Sequence, residues 1–496
     1  MVALRSAAYL PLLVVLSSLV PGVIIAFLRE EQVRTRTALN IAGAVLKILL
    51  VALMLWGVAE GRRYAWRLAI MPGFELTLVG DALALLFVTL SAILWLVTTL
   101  YAIGYLEASP NRSRFFAFFS LCVTATVGIA LAGDLFTFVL FYEALTWTTY
   151  PLIVHRGTPA TIAAGRTYLQ YTVTGGTLLL VGTVWLWAVA GTLTFRDGGF
   201  LAGLPAETHG ELTAIFAVLV LGLGVKAALV PLHGWLPAAM VAPAPVSALL
   251  HAVAVVKAGA FGIVRVLYSV YGIELATALG GAQALAIAAG ITILYGSFRA
   301  LTQDDLKRRL AYSTVSQISY ITLGVATLGP VASLGGLVHL VHQGLMKITL
   351  FFCAGNLAET IEVRRVSEMD GVGRRMPWTM AAFAIGALGM IGLPPLPGFV
   401  TKWYLGLGGL AAGDVWVVAV LVLSTVLNAA YFLPILRRAW FADGIPAVPH
   451  ASEAGPLLIS STVTAAALSL AAGLFANMVI SPLTWTRLVI ERLYAP

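Results

Sequence analysis

Gly224-Val-Lys226-Ala-Ala-Leu-Val-Pro231-Leu-His233-Gly234-Trp235-Leu-Pro237 places a lysine in an apolar run, five residues before a proline. A charged side chain at that depth of hydrocarbon costs at least roughly 2.5 kcal/mol, so the ammonium is a functional hypothesis by default. The proline removes a backbone donor and clashes with the preceding turn, which breaks the helix and leaves carbonyls that protein or water must satisfy. Lysine plus break is a candidate ion site. The pattern recurs in Gly392-Leu-Pro394-Pro395-Leu396-Pro397-Gly398-Phe399-Val-Thr-Lys402, where Pro395-Leu-Pro-Gly-Phe399 answers Pro231-Leu-His-Gly-Trp235 and the lysine follows the break. Paired proline-interrupted apolar segments point to a transporter with internal repeats and a binding region at the breaks. The candidate break residues are Pro231 and Pro237 in one half, and Pro394, Pro395 and Pro397 in the other.

Working outward, 496 residues that are 60% hydrophobic and 10% charged fit no soluble class. The expectation is an all-α polytopic membrane protein with about fourteen spans, since apolar runs of about 20 residues recur and each can cross a core roughly 30 Å thick. They centre near residues 17, 47, 92, 122, 144, 178, 222, 257, 286, 319, 345, 391, 425 and 467. The first, Leu10 to Leu28, lacks a small-residue cleavage site and is followed at once by another span, so it is read as a span and not as a signal peptide. The net charge of +8 does not call for nucleic acid. Arginines at 29, 34, 36, 112, 114, 156, 166, 299, 308, 309, 364, 365, 374, 375, 437 and 438, with Lys307, fall in short loops after odd-numbered spans, which is expected to place those loops in the cytoplasm and both termini outside. Arg62, Arg63 and Arg67 are the exception. Cys122 and Cys353 lie in apolar runs without CxxC spacing and read as packing residues. No Gly-rich phosphate loop, dinucleotide fingerprint or cysteine cluster is present, so the chain is expected to need no cofactor and to carry no catalytic chemistry of its own.

Several buried ionisable groups stand out along the chain. Asp81 opens span three and can cap it. Lys47 lies well inside span two, where it snorkels, faces a neighbouring subunit or is a further site candidate. Glu143 sits nine residues into span five from Asp134, about 13 Å along the axis and near mid-membrane. An acid there stays protonated or finds a cation, and Lys226 is the partner expected. In span eight His251 and Lys257 are six positions apart, about 240° round a regular helix, so they do not share a face. His251 suits a proton relay or a satisfied hydrogen-bonding role. Span eleven gives His339, His342 and Lys347, with the two histidines on one face. Zinc ligation is the alternative for that pair, but a lysine beside it opposes a cation. Leu310-x-Tyr312 up to Tyr320 repeats Leu140-x-Tyr142 up to Tyr150, with Ser313 in the place of Glu143. That offset is 170 residues, against 164 for the two breaks, so the halves keep their order and differ in loop length.

Three stretches together resemble a known family: Asp305-Leu-Lys-Arg-Arg-Leu-Ala-Tyr-Ser-Thr-Val-Ser-Gln-Ile-Ser-Tyr320, His233-Gly-Trp-Leu-Pro-Ala-Ala-Met-Val-Ala-Pro-Ala-Pro-Val-Ser-Ala-Leu-Leu-His251, and Gly392-Leu-Pro-Pro-Leu-Pro-Gly-Phe-Val-Thr-Lys402. They are similar to motifs of the antiporter-like, proton-translocating subunits shared by Mrp cation/proton antiporters, respiratory complex I and membrane-bound hydrogenases. The resemblance runs from about Asp81 to Arg438, and Lys402 leans toward the D-type subunit of Mrp antiporters. It implies fourteen helices with two inverted five-helix repeats and broken helices seven and twelve. The implied division is 1–106 for helices one to three, 107–270 and 271–440 for the repeats, and 441–496 for the last helix and tail. By motif position it implies that Glu143, Lys226, Lys257, His342, Lys347 and Lys402 carry protons along the membrane midplane, with His339 less regular. It also implies an inner (cytoplasmic) membrane location and a hetero-oligomer with homologous antiporter-like and small multi-helix subunits. Protons would be the cargo, with Na⁺ or K⁺ as a counter-ion, lipid around it and no metal held. A proton-pumping arm of a complex I-like or hydrogenase complex, a direct Na⁺/K⁺ pathway and a structural scaffold are the other readings.

Overall fold

In hydrocarbon every backbone N–H and C=O must be satisfied inside its own segment, which makes helices of long apolar runs. The computed structural model describes residues 8–107, 109–443 and 453–494. Its principal helices are α1 (Leu10–Ala26), α2 (Val33–Ala59), α3 (Ala82–Tyr105), α4 (Arg112–Leu131), α5 (Leu135–Ile153), α6 (Pro159–Ala190), α7 (His209–Lys226) and α8 (Ala244–Tyr271). They continue with α9 (Gly281–Leu301), α10 (Leu306–Ala326), α11 (Pro330–Thr360), α12 (Pro377–Ile391), α13 (Pro397–Ala411), α14 (Val415–Phe441), α15 (Pro456–Leu474) and α16 (Pro482–Leu493). Ten spans among the described residues are long and apolar enough to cross a membrane, and α1 and α12 are apolar but shorter. Of the expected boundaries, 106/107 falls between α3 and α4, 270/271 at the end of α8 and 440/441 in the last turn of α14. Part of the segment 441–496, namely 444–452 and 495–496, lies outside the described residues.

The centre of the bundle is α8 and α11, which are buried along their most apolar stretch. A helix covered all round belongs in a core, and both carry titratable side chains there. Around them α2, α6 and α14 expose apolar residues such as Trp56, Val184 and Val426, as expected of faces turned to lipid or to another subunit.

Two local features differ from the sequence reading. The chain is not wholly helical: Tyr64–Met71 and Phe74–Gly80 pair as an antiparallel hairpin around Pro72 and Gly73, with Gly73 at positive φ. Arg62 and Arg63 lie at its foot and Arg67 on its first strand. Second, α8 is not regular. Leu249–Val253 is π-helical and Ala254 leaves helical geometry, so a 100° count does not relate His251 to Lys257.

Asp81 accepts from Ala84 N at 2.6 Å and so caps α3, and it also pairs with Arg265 at 2.8 Å. The α7–α8 contact depends on Gly259, where an added Cβ would lie 2.7 Å from Leu223 O and from the Lys226 carbonyl carbon. Overpacking of this kind costs about 1–3 kcal/mol. Gly259→Ala is therefore expected to lower the thermal midpoint of the purified protein; an unchanged midpoint would show that α7 and α8 are not held in this register.

Candidate functional site

The broken helix α7 ends at Lys226, and its last carbonyls find donors nearby. Leu229 N donates to Gly224 O at 2.9 Å, and the Trp235 indole N–H donates to Val225 O at 2.7 Å. The tryptophan of the repeated motif thus satisfies the backbone at the break. Pro231 lies in the turn that follows, and Pro237 in the one-turn helix Trp235–Ala238. In the second half Phe399 stands where Trp235 does and has no donor. There Lys402 takes over, donating from Nζ to Ile391 O at 2.7 Å and to Thr425 Oγ1 at 2.8 Å. Pro394 and Pro395 form the connection and Pro397 starts α13.

Lys226 is fully buried. Its Nζ donates to the Tyr142 main-chain oxygen and stands 3.4 Å from the centre of the Tyr142 ring. The expected ion pair with Glu143 is open: among the described residues Glu143 makes no ion pair within 4.0 Å. Tyr142 offers the ammonium a carbonyl and a ring face together, while Glu143 projects about 100° further round α5. Its carboxylate turns to α6 and packs on Gly176, where a Cβ would overlap it, and Oε1 has no protein partner.

Around α11 the groups come together. Lys257 Nζ, from α8, donates to the Leu340 carbonyl. One turn of α11 then sets His339 and His342 against α13, where Nδ1 of each meets the same hydroxyl, Thr401 Oγ1, at 3.2 and 3.1 Å. Among the described residues no third His, Cys, Asp or Glu joins them to form a metal site. The His339 ring lies 5.3 Å from the Tyr320 ring, and Lys402 Nζ lies 5.7 Å from that same ring. Further along α11, Lys347 donates to Ser313 Oγ at 2.6 Å and to Leu310 O at 3.3 Å. Ser313 continues to Tyr431 at 2.8 Å, and Tyr431 donates to Asn428 at 2.6 Å.

The structure therefore gathers Lys257, His339, His342 and Lys402 around α11, with Lys347 joined to Ser313. No side-chain hydrogen bond links Lys226 to Lys257 among the described residues. His251 also packs on α11, its ring 4.5 Å from the Phe351 ring, and among the described residues neither of its ring nitrogens has a hydrogen-bond partner. Tyr142, Thr401, Tyr431 and Asn428 are site residues that sequence reasoning missed. Two of them carried a signal: Tyr142 in the repeat shared by spans five and ten, and Thr401 as the residue before Lys402 in the second broken stretch.

Residues 132–428 match the protein family described as NADH:quinone oxidoreductase/Mrp antiporter, TM. The chain belongs to this family. Similar to it are the NADH-quinone oxidoreductase subunit N of Desulforudis audaxviator, 38% identical over 88% of both chains, and the D-type subunit of the Na⁺/H⁺ antiporter of Bacillus subtilis, 28% identical over 87% of both. Among solved structures, a chain of the Mrp complex from a Dietzia species superposes with a TM-score of 0.86 at 24% identity, covering 99% of this chain and 98% of that one. A chain of respiratory complex I from Thermus thermophilus superposes at 0.82 with 25% identity, covering 97% and 99%. Antiporter-like subunits of this family thus occur in more than one kind of multi-subunit membrane complex, and the fold is common to them.

Proposed function

We propose that this chain is the proton-translocating subunit of a multi-subunit membrane complex, passing protons between Glu143 and Lys226 in one half, through Lys257, His339, His342 and Lys347 in the centre, to Lys402 in the other. The observation that carries this reading is the company the four lysines keep. Lys226, Lys257 and Lys347 are fully buried and Lys402 half-buried, and all four bond to carbonyls or hydroxyls alone. An amine held by neutral acceptors can exchange its proton without leaving a bare carboxylate behind.

The orphaned polar atoms along the same line support it. Among the described residues Glu143 Oε1, Nε2 of His339 and of His342, Gln343 Oε1 and both nitrogens of His251 have no hydrogen-bond partner. A buried polar atom left unmet costs about 1–3 kcal/mol, so water is expected to bridge these groups. A cavity of about 550 Å³ opens where Arg156, Lys307, Arg308, Glu359 and Arg364 meet. The four cations among them belong to the loops expected in the cytoplasm, which makes the cavity the proposed mouth on that side, with both termini opposite.

Both an Mrp-type antiporter and a respiratory or hydrogenase-type proton pump fit this geometry. The greater identity to the NADH-quinone oxidoreductase relative favours the respiratory kind. Na⁺ or K⁺ fits the buried groups poorly, because one carboxylate among several lysines is not an oxygen cage. The partners proposed are homologous antiporter-like subunits and small multi-helix subunits in the inner membrane.

The test is proton flux in vesicles carrying the assembled complex, followed with an internal pH dye. Thr401→Val keeps the volume and removes the hydroxyl shared by the two histidines, so flux should fall roughly tenfold, about 1.4 kcal/mol, while Thr401→Ser retains it. A scaffold subunit would show wild-type flux in both variants, and that outcome would remove the reading.

A further inference from the structure

Lys47 lies outside the route above, yet it is as completely buried as Lys226. It neither snorkels nor faces a neighbouring subunit, because α1, α3 and α4 of its own chain close around it. Gly43, one turn earlier on α2, permits this: a Cβ there would stand 2.6 Å from Ser17 O and 2.9 Å from Pro21 Cγ, so α1 approaches to backbone distance. Lys47 Nζ donates to Ser18 Oγ at 2.7 Å and lies 4.7 Å from the Trp95 ring centre.

From Ser18 a file of polar groups leads to the membrane surface. Thr124 Oγ1 donates to Ser18 Oγ at 2.8 Å, and Ser120, one turn back on α4, donates to Asn40 Oδ1 at 3.1 Å. Asn40 Nδ2 donates to Arg36 O at 3.0 Å, and the Arg36 guanidinium donates to Ser113 Oγ at 2.7 Å. At the mouth the Glu30 carboxylate accepts from the backbone N–H groups of Arg112 and Ser113. From Arg36 to Lys47 the file covers about 16 Å of α2, roughly half the hydrocarbon thickness. Every side chain named between Arg36 and Lys47 is buried.

We propose that Lys47 is a second proton-loading site, filled from the surface that carries Arg36 through Asn40, Ser120, Thr124 and Ser18. The groups facing it are Ser18 from α1, Trp95 from α3 and Thr124 from α4; neither α1 nor α3 carries an Asp, Glu, Lys or Arg, and the only such residues of α4 are Arg112 and Arg114 in its first turn. On α2 itself the other charges are Arg34 and Arg36, also in the first turn. Among the described residues no carboxylate therefore holds the ammonium, and a file of hydroxyls and one amide, two of whose links run through the Ser120 and Arg36 main-chain oxygens, reaches it from one side. Such a branch ends at Lys47, one helix away from α5 and Glu143, because α4 bonds to α5 through Cys122 and Thr149 at 3.3 Å. The residues do not overlap those of the transport route, so the two proposals stand or fall separately.

Trp95 serves as the reporter, since gain or loss of a proton 4.7 Å from its ring changes the indole emission. The whole complex is reconstituted in vesicles with no driving reaction, and the difference between wild type and Trp95→Phe is titrated from about pH 5 to about pH 10. A single step is expected, absent in Lys47→Met. After a rapid pH change on the Arg36 side, Asn40→Leu should keep the amplitude and slow the step by roughly tenfold or more, because proton transfer needs a positioned group at each link. A flat titration, or a step that survives in Lys47→Met, overturns the site. An Asn40→Leu response as fast as wild type overturns the file. Should Lys47→Met fail to assemble, Lys47→Arg, whose charge is constant, must abolish the step in its place.

Discussion

Proton-coupled transport is expected to vanish in Lys226→Ala, with a loss of at least ~100-fold, about 2.7 kcal/mol, while the complex still assembles. The size of the effect follows from position. Lys226 is the last residue of α7, and its ammonium sits between the Tyr142 carbonyl and ring at one end of the proposed route. Removing it leaves Glu143 as the one group that the proposed route uses in the first half. Assembly survives because Val225 O keeps its Trp235 donor, Gly224 O keeps Leu229 N, and the helix end is therefore held without the lysine. Lys226→Met, which fills the same volume, should be equally inactive and separates loss of charge from loss of packing. Flux in the reconstituted complex and co-purification with partner subunits are the two measurements. Residual wild-type flux in either variant would contradict the assignment.

Glu143→Gln is expected to be nearly as severe, roughly 100-fold, because an amide keeps the shape and cannot take up a proton. The geometry makes this more than a deletion of charge. Lys226 rests on Tyr142, the residue beside Glu143, and the carboxylate rests on Gly176 with one oxygen unpartnered. In the proposed route this is the open state of a pair, which would close if the lysine swung from the carbonyl to the carboxylate. Glutamine removes the closed state and leaves the open one untouched, so the fold and the α5–α6 contact should be unchanged in thermal melts while flux is lost. If Glu143→Gln transports normally, the acid is a packing group and the proposed first half of the route is wrong.

How much of this was legible in the sequence varied with how local the signal was. The membrane class and the family were readable from the apolar runs and three motif stretches, because composition and spacing carry them directly. The hairpin at Tyr64–Gly80 was not read, although Pro72-Gly73 between two short apolar stretches is a turn signal; the neighbouring long spans masked it. The break at Ala254 had no glycine or proline to announce it, and the helical count from His251 to Lys257 failed there. For Lys226 the sequence marked a buried lysine and a pair with Glu143; the structure shows the ammonium on the Tyr142 main-chain oxygen and ring instead, and such contacts leave no trace in a search for opposite charges. Thr401 bridging two histidines, and Lys47 meeting Ser18 from another helix, are tertiary facts: their partners are 59 to 62 and 29 residues away.

The proposed route requires that water join the buried groups of the two halves into one path. A density map of the assembled complex that shows ordered water tests this most directly. Water density should run continuously from Glu143 and Lys226 past Lys257, the His339–His342 pair and Lys347 to Lys402, touching the unpartnered atoms of Glu143 and both histidines. Dry, closely packed apolar side chains between Lys226 and Lys257, or between Lys347 and Lys402, would contradict it.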